Sequence, residues 1–569
     1  MFVGTTQCPH TSMFSQSSNF IVGNLSQTEV YNFVSNTRVV PEKRLLGIQI
    51  LLKKSNPDAS HYSFAREPPP RCHPGTRREL ICGIEHWVTG ASDSSERIMW
   101  VYGPAGVGKS AVAQSCAELF ADRKQLLSAY FFSRSDVRNK AKYLFTSIAY
   151  QISTRNKVYR EILDRRIRDD PALLTQALHE QFQELVIKPL EEARAHGTHT
   201  IGAEPFVVII DGLDECDSSD GQHRILEVVA RSAQKHSLPF RWIIFSRAEP
   251  HITASFKRHD LHGLTCQTEV PVSRNIDHDI FCFLIDKLEE IGRGASLPSS
   301  WFSEDDVQVL VNLCAGLFIY AVTIERFVSK NNSFGPVSQL QAVLHLASTA
   351  RTDRNTDNPL SELDLFYTLI MGQVPPEVLP TIRKILLLHS PDLHFPFTAS
   401  AIANVLGLDK YQFQHACSLL HSVLELKYPY EEPDDETLVI RFHHRSFMDF
   451  MHDPKRSTKF STYLDDLLNA TRSELLDSLN HTMCGARTTN TMLEVPWPNS
   501  LMTGDWLCWY RLETLLDLCQ MFCPVEESLA LKLSAFRFDR LLHVSKHYQD
   551  IGSRTLDPEK LRQQVNILH

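Results

Sequence analysis

From Gly103 to Ser110 the chain reads Gly-Pro-Ala-Gly-Val-Gly-Lys-Ser, and this stretch constrains the fold more than any other. It fills every fixed position of the pattern GxxxxGK[ST]. An apolar run, Ile98 to Tyr102, precedes it, and a helix-like run, Ala111 to Phe120, follows. A strand that ends in a glycine-rich turn and then opens a helix can curl its backbone so that successive N–H groups converge. The helix adds its positive N-terminal end. Such a concavity suits phosphate groups. Lys109 is placed to neutralise β- and γ-phosphates, and the Ser110 hydroxyl to ligate Mg²⁺. The predicted cradle is Gly103, Pro104, Ala105, Gly106, Val107, Gly108, Lys109, Ser110 and Ala111.

About a hundred residues on, Phe206-Val207-Val208-Ile209-Ile210 is continuously apolar, as expected of a strand buried on both faces of a parallel sheet. It runs into Asp211-Gly212-Leu213-Asp214-Glu215-Cys216. An acid at the tip of such a strand can hold the Mg²⁺ of a bound triphosphate, and Asp211 takes that place. Asp214 and Glu215 add carboxylates to orient or deprotonate an attacking water. A third buried-strand run, Arg241 to Phe245, leads through Ser246 to Arg247, whose fork suits a γ-phosphate.

These runs alternate with helical stretches. The expected strands are Ile98–Tyr102, Leu127–Phe132, Phe206–Ile210, Arg241–Phe245 and Leu261–Val270. The alternation implies an α/β fold, a parallel sheet with helices on both faces and a ligand at the carboxyl ends of the strands. A helical insert, Lys140 to Glu192, separates the second strand from the acidic one. Upstream, Glu42 to Lys54 has one short amphipathic helix, and Asn56 to Pro70 is a proline-bearing linker. Residues 1–40 are rich in Ser, Asn and Thr, and suit a flexible tail or a segment that stacks as cross-β. Downstream, Asn275 to Phe334 is helical, with an N-cap signature at Ser303-Glu304-Asp305-Asp306. Pro376–His389 and Ala401–Leu406 follow as helices, the second capped by Ser400 and stopped by Gly407, and then Tyr411 to Leu424. Two short strands flank the acidic turn Glu431 to Glu436. Phe460, Tyr463, Leu464, Leu467 and Leu468 share a helical face, and Trp497, Trp506 and Trp509 read as core.

At 569 residues the chain is long enough for several domains. A net charge of -9 argues against a sequence-independent nucleic-acid binder, because phosphate contacts need the opposite sign. The 13 cysteines are scattered without a CxxC pair, so they read as thiols, not a zinc site. Residues 1–20 lack the basic start and long apolar core expected of a secretory signal, and no run reaches the roughly 18 apolar residues of a membrane span. The expected location is the cytoplasm.

Together, VYGPAGVGKSAVAQS, VVIIDGLDEC and WIIFSRAEPHI resemble the NACHT domain of signal-transducing P-loop NTPases, the STAND class. The likeness is to the nephrocystin-type NACHT proteins of fungi, which are NOD-like-receptor-like. Pro68 to Arg77, Ala129 to Arg134, Ile148 to Gln151, Gly316 to Ala321 and His444 to Phe450 resemble further landmarks, so the likeness covers roughly residues 60–455. It implies an N-terminal segment and linker (1–70), a P-loop nucleotide-binding domain (71–270), a helical subdomain (271–348), a winged-helix domain (359–455) and an α-helical C-terminal region (456–569). In the family a winged-helix histidine reaches the β-phosphate of ADP. His444 is the matching position and His443 its rival. Relatives carry Gly-Leu-Pro where this chain has Gly316-Leu317-Phe318, so Phe318 either faces the base or packs in the core. The implied function is an ATP/ADP-dependent switch with Mg²⁺, slow hydrolysis if any, homo-oligomerisation on activation, and recruitment of protein partners in self/non-self or immune-like recognition. A nucleotide-stabilised interaction scaffold without turnover is the alternative. The acidic turn and the lysine-poor helix before it argue against DNA.

Overall fold

The computed structural model describes residues 46–90, 96–134, 137–196, 205–234, 238–270, 272–329, 335–350, 359–390, 393, 398–428, 438–485, 495–497, 504–521, 526–534 and 536. The expectations for residues 1–40, for the acidic turn Glu431 to Glu436 and for the side chains of Trp506 and Trp509 lie outside them. The chain divides into two units, Met1–Leu46 and Gly47–His569, and the architecture below belongs to the second.

Its centre is a five-stranded parallel sheet. In chain order the strands are β1 (Ile98–Tyr102), β2 (Leu126–Phe131), β3 (Phe206–Asp211), β4 (Phe240–Ser246) and β5 (Thr265–Glu269), arranged β2-β3-β4-β1-β5. Alternate residues feed two cores. Met99, Val101, Val207, Ile209, Ile243 and Phe245 pack with Val112, Ala117 and Phe120 of helix α1 (Lys109–Asp122). Ile98, Trp100, Val208, Ile210, Trp242 and Ile244 pack on the other face with helices of residues 144–193 and 219–234. Burial on both faces is why these strands read as unbroken apolar runs. Each fully buried Val, Ile or Leu contributes roughly 1.5–3 kcal/mol. Only β5, at an edge, alternates between covered and exposed positions. The expected strand Leu261–Val270 is therefore shorter: His259–His262 forms a helical turn that Gly263 ends, and pairing starts at Thr265.

Register sets the site. Tyr102 lies level with Ser246 and Glu269, and Phe131 with Asp211, so the carboxyl ends of the strands share one edge. Because β4 lies between β1 and β3, Arg247 emerges between the glycine-rich loop and Asp211.

The insert before β3 is broken, not continuous. Asn156 stops the helix Leu144–Arg155 and caps the next by accepting the Tyr159 N–H at 2.8 Å. Phe182–Ile187 is a π-helical turn before Pro189. Proline has no N–H for the carbonyl four residues back. The Tyr159 hydroxyl takes that place and donates to the Leu185 carbonyl.

After the sheet come α2 (Asp277–Gly294), α3 (Glu304–Cys314) and α4 (Phe318–Ser329). The expected cap of α3 is present as a capping box between Ser303 and Asp306. Farther along are α5 (Leu379–Leu388), α6 (Ala399–Val405), α7 (Lys410–Ser418), the antiparallel ribbon β6 (Leu424–Lys427) and β7 (Val439–Phe442), and α8 (Arg445–His452). Thr398, not Ser400, caps α6 by accepting the Ala401 N–H at 3.3 Å. A backbone bridge from Thr398 to Val439 fixes where the helix starts and leaves Ser400 buried within it. A second capping box, Asp409 with Gln412, starts α7. The expected face from Phe460 to Leu468 is also divided: Phe460 ends a 3-10 turn, and the helix begins at Asp465. Trp497 is core, held by two hydrogen bonds between its backbone and the Asn404 amide. Among the described residues no helix is long and apolar enough to cross a membrane, and Cys72, Cys82, Cys116, Cys216, Cys266, Cys282, Cys314 and Cys417 are free thiols.

Candidate nucleotide-binding site

The glycine-rich loop joins β1 to α1, and two of its glycines do different work. Gly108 caps α1 at φ +92°, a left-handed conformation that disfavours any side chain, and a Cβ there would meet no atom within 4 Å. Gly106, at φ +82°, lies under α4: a Cβ there would approach Ile319 Cγ2 to 2.3 Å. Its carbonyl accepts the Ile319 N–H at 3.1 Å. Arg77 braces the loop from the other side, donating from Nη2 to the Val107 carbonyl at 2.7 Å, while its own N–H binds Asp279 of α2 at 2.9 Å.

The predicted cradle splits into two groups. Ala105, Gly106, Gly108, Lys109, Ser110 and Ala111 line a cavity of about 820 Å³, together with Asp211, Asp214, Glu215, Arg247 and His444. Gly103, Pro104 and Val107 are not in its wall and shape the loop from behind. The carbonyls of Gly103 and Pro104 accept Lys109 Nζ, both at 2.8 Å, and Val107 is fully buried. Burial, opposed by Asp214 and reinforced by Arg247, lowers the Lys109 ammonium to about 8.

Asp211 is buried at the β3 tip, close to the Ser110 hydroxyl. Burial raises it to about 6 against the pull of Ser110, Arg66 and Lys109. A hydroxyl and a carboxylate side by side next to a phosphate cradle form the sparse oxygen donor set that Mg²⁺ takes when phosphates supply the rest. The residues present therefore fit the expected ion: Ser110 and Asp211 would hold it, and it would neutralise phosphate charge.

Glu215 is raised to about 7, by burial first and by the Asp214 charge second, and its Oε2 accepts the Arg134 N–H at 3.2 Å. A carboxyl that titrates near neutrality suits a general base. Asp214 is held by two arginines. Its Oδ1 accepts the Arg247 N–H at 3.0 Å. Its Oδ2 lies 3.4 Å from Arg247 Nε and 3.9 Å from Arg445 Nη1. With both oxygens on arginines, Asp214 clamps the β4 tip.

Arg247 reaches across the cavity to α8. Its Nη1 donates to Asp449 of α8 at 3.1 Å. Burial pulls its guanidinium down, but Asp449 and Asp214 together hold it above its ordinary value. Arg445 closes the ring, donating from Nε to Asp449 Oδ1 at 3.2 Å.

His444 caps α8, its Nδ1 accepting the Ser446 N–H at 3.1 Å. That bond puts the ring proton on Nε2, a donor suited to an anion. Burial, then Arg247 and Lys109, lowers His444 to about 3, so it is neutral. Its rival His443 engages the His421 carbonyl through Nε2 at 3.0 Å. Phe318 lines the cavity and packs beside Phe283, ring centroids 5.3 Å apart.

Several site residues have no motif that announces them. Arg445 and Asp449 lie within the quoted His444 to Phe450 segment, yet without the fold nothing ties them to Arg247. Arg66 is buried under the sheet, stacked 3.4 Å from the Phe131 ring centroid and bonded to Gln114 at 2.7 Å, where its charge helps keep Asp211 ionised.

Residues 79–247 match the family model for the N-terminal region of nephrocystin 3. The match runs from the start of the helix that precedes β1 (Arg78–Thr89) to Arg247, and it leaves out the lead-in at Pro68 to Arg77 and everything after Arg247. Comparison with curated proteins gives no match. Among solved structures, Drosophila ORC bound to DNA is similar at 13% identity, over 65% of this chain and 92% of that one, with a TM-score of 0.27. Drosophila ORC bound to GC-rich DNA and Cdc6 is similar at 10% identity, over 99% and 76%, with a TM-score of 0.23. The complex with AT-rich DNA and Cdc6 gives 13%, 98%, 85% and 0.21. Scores this low carry no conclusion about partners. The parallel sheet, the loop and the family match together define a P-loop NTPase-like unit, nephrocystin-3-like over residues 79–247.

Proposed function

We propose that the protein is an ATP/ADP-operated switch of the NACHT type, a STAND-class, NOD-like-receptor-like NTPase working in the cytoplasm. The observation that carries this reading is the double wall of the cavity. One side is the loop and strand tips, the other is α8, and the Arg247–Asp449 contact at 3.1 Å joins them. A phosphate site walled by two separate parts of the chain can couple its occupancy to their docking. In the diphosphate state His444 donates to the β-phosphate and holds α8 against the sheet. In the triphosphate state Arg247 turns to the γ-phosphate, α8 is released, and the freed surface forms homo-oligomers and recruits protein effectors. Ser110 and Asp211 hold Mg²⁺, and Lys109 neutralises phosphate charge. Glu215 activates water in a slow resetting hydrolysis.

The reading divides the chain into a nucleotide-binding domain (71–270), a helical subdomain (271–348), a winged-helix domain (359–455) and a helical C-terminal region (456–569). Three helices, a two-stranded ribbon and the Thr398–Val439 bridge support the winged helix. Contact of its last strand and helix with the nucleotide cavity supports an intramolecular role over DNA binding. Fungal self/non-self recognition rests on the sequence resemblance alone.

The test is to denature purified protein and identify released nucleotide by chromatography, with Lys109→Ala as control. Stoichiometric ADP from the wild type and none from K109A is the expected result. No nucleotide in either, with none bound on titration, refutes the switch and leaves an interaction scaffold.

A further inference from the structure

We infer that Asp449 stands in for the terminal phosphate and sets the preference of the site for diphosphate over triphosphate. The inference rests on the switch reading above and adds the group that biases it. Asp449 presents one oxygen to each of two arginines, Oδ2 to Arg247 Nη1 at 3.1 Å and Oδ1 to Arg445 Nε at 3.2 Å. All three residues line the cavity that holds Lys109 and Ser110. A guanidinium fork accepts a carboxylate or a phosphate with the same geometry, so Asp449 and a terminal phosphate compete for the same two cations.

A second observation points the same way. Among the described residues Arg445 Nη1 is buried without a hydrogen-bond partner, 3.9 Å from Asp214 Oδ2. That is too far for a hydrogen bond, so the wall of the cavity carries a donor with no acceptor. Arg445 also acts on Glu215, pulling its raised carboxyl back down, so its charge sits at the hydrolytic end of the cavity. Arg247 repels the Lys109 ammonium, so these two cations also lie close together. An anion beyond the reach of Lys109 and His444 would therefore meet Arg247 and Arg445.

The energetics follow from charge. Without Asp449 the two arginines would have Asp214 as their main anionic partner in a largely covered site, a costly arrangement when no terminal phosphate is bound. Asp449 removes that cost in the diphosphate state only, because a terminal phosphate relieves it equally well. Its carboxylate therefore lowers triphosphate affinity relative to diphosphate affinity. As it sits on α8, losing its two contacts also frees that helix from the β4 tip.

The test is calorimetric titration of nucleotide-stripped full-length protein with ADP and with a non-hydrolysable ATP analogue, both with Mg²⁺. Asp449→Asn keeps the shape and removes the charge. The expected result is an ATP-to-ADP affinity ratio raised at least about tenfold, the scale of one charge-assisted hydrogen bond. Asp449→Glu should keep a ratio close to wild type. Arg445→Gln should weaken the ATP analogue by a similar factor and leave ADP within about twofold, a pattern that general loosening of the fold would not produce. A wild-type protein that binds both nucleotides, with D449N within twofold of its ratio, overturns this inference and leaves the switch standing. A wild-type protein that binds neither overturns both.

Discussion

Exchanging Gly106 and Gly108 one at a time for alanine separates docking of the loop from binding by the loop. Both have left-handed backbones, at φ +82° and +92°. A side chain in that conformation costs about 1–2 kcal/mol. Gly108→Ala adds little else, since its Cβ meets no atom within 4 Å. Gly106→Ala places a methyl 2.3 Å from Ile319 Cγ2. Ile319 is β-branched and sits in the first turn of α4, so it has few rotamers to retreat to. Overpacking of this kind costs about 1–3 kcal/mol, and the Ile319 N–H bond to the Gly106 carbonyl is lost as well. The expected destabilisation is about 2–5 kcal/mol for G106A and about 1–2 kcal/mol for G108A. Urea unfolding of nucleotide-free protein, followed by tryptophan emission, measures both. Trp100 and Trp242, buried in β1 and β4, report on the sheet. Nucleotide titration should show the reverse order: Gly108 lines the cavity, so G108A loses binding despite its smaller loss of stability. If G106A proves as stable as G108A, α4 is not seated on the loop.

Two further perturbations address the acid and the histidine. Glu215, raised to about 7, contributes stability that is complete below about 4.5 and lost as pH rises through 7. Glu215→Gln is neutral throughout, so its stability advantage over wild type should widen from pH 4.5 to 7 and then level off; urea midpoints across that range check it, and a flat difference refutes the buried carboxyl. His444→Asn keeps an oxygen to cap α8 but removes Nε2. It should speed the release of a fluorescent ADP analogue and favour oligomers in light scattering. An unchanged off-rate with an unchanged mass would remove the histidine lock.

What the sequence makes legible here is local. The strand, loop and helix around Gly103 to Ser110 follow from residues within about twenty positions, and so do β3 with Asp211 and the capping box at Ser303. Boundaries fail where a distant contact decides them. Thr398 caps α6 because its backbone bridges to Val439. The break at Phe182–Ile187 is closed by Tyr159, from a different helix. Within the site, Lys109, Ser110 and Asp211 come together from motif alone, because register and strand order bring the tips of a parallel sheet to one edge.

The roles of Asp214 and Arg247 show why motif reasoning stops there. Judged from their own segments, they are an acid for water and a cation for phosphate. Asp449, 202 residues beyond Arg247, turns that cation toward another part of the chain. Arg77 and Asp279, also 202 residues apart, brace the loop in the same way. A strand-tip motif states which charges are available to a phosphate, and the sequence-distant partner states what holds those charges when the phosphate is different. Whether such a site works as a switch or as a plain hydrolase is decided by the second kind of contact. In this chain that contact comes from Asp449 on α8, a residue that no phosphate-binding pattern marks.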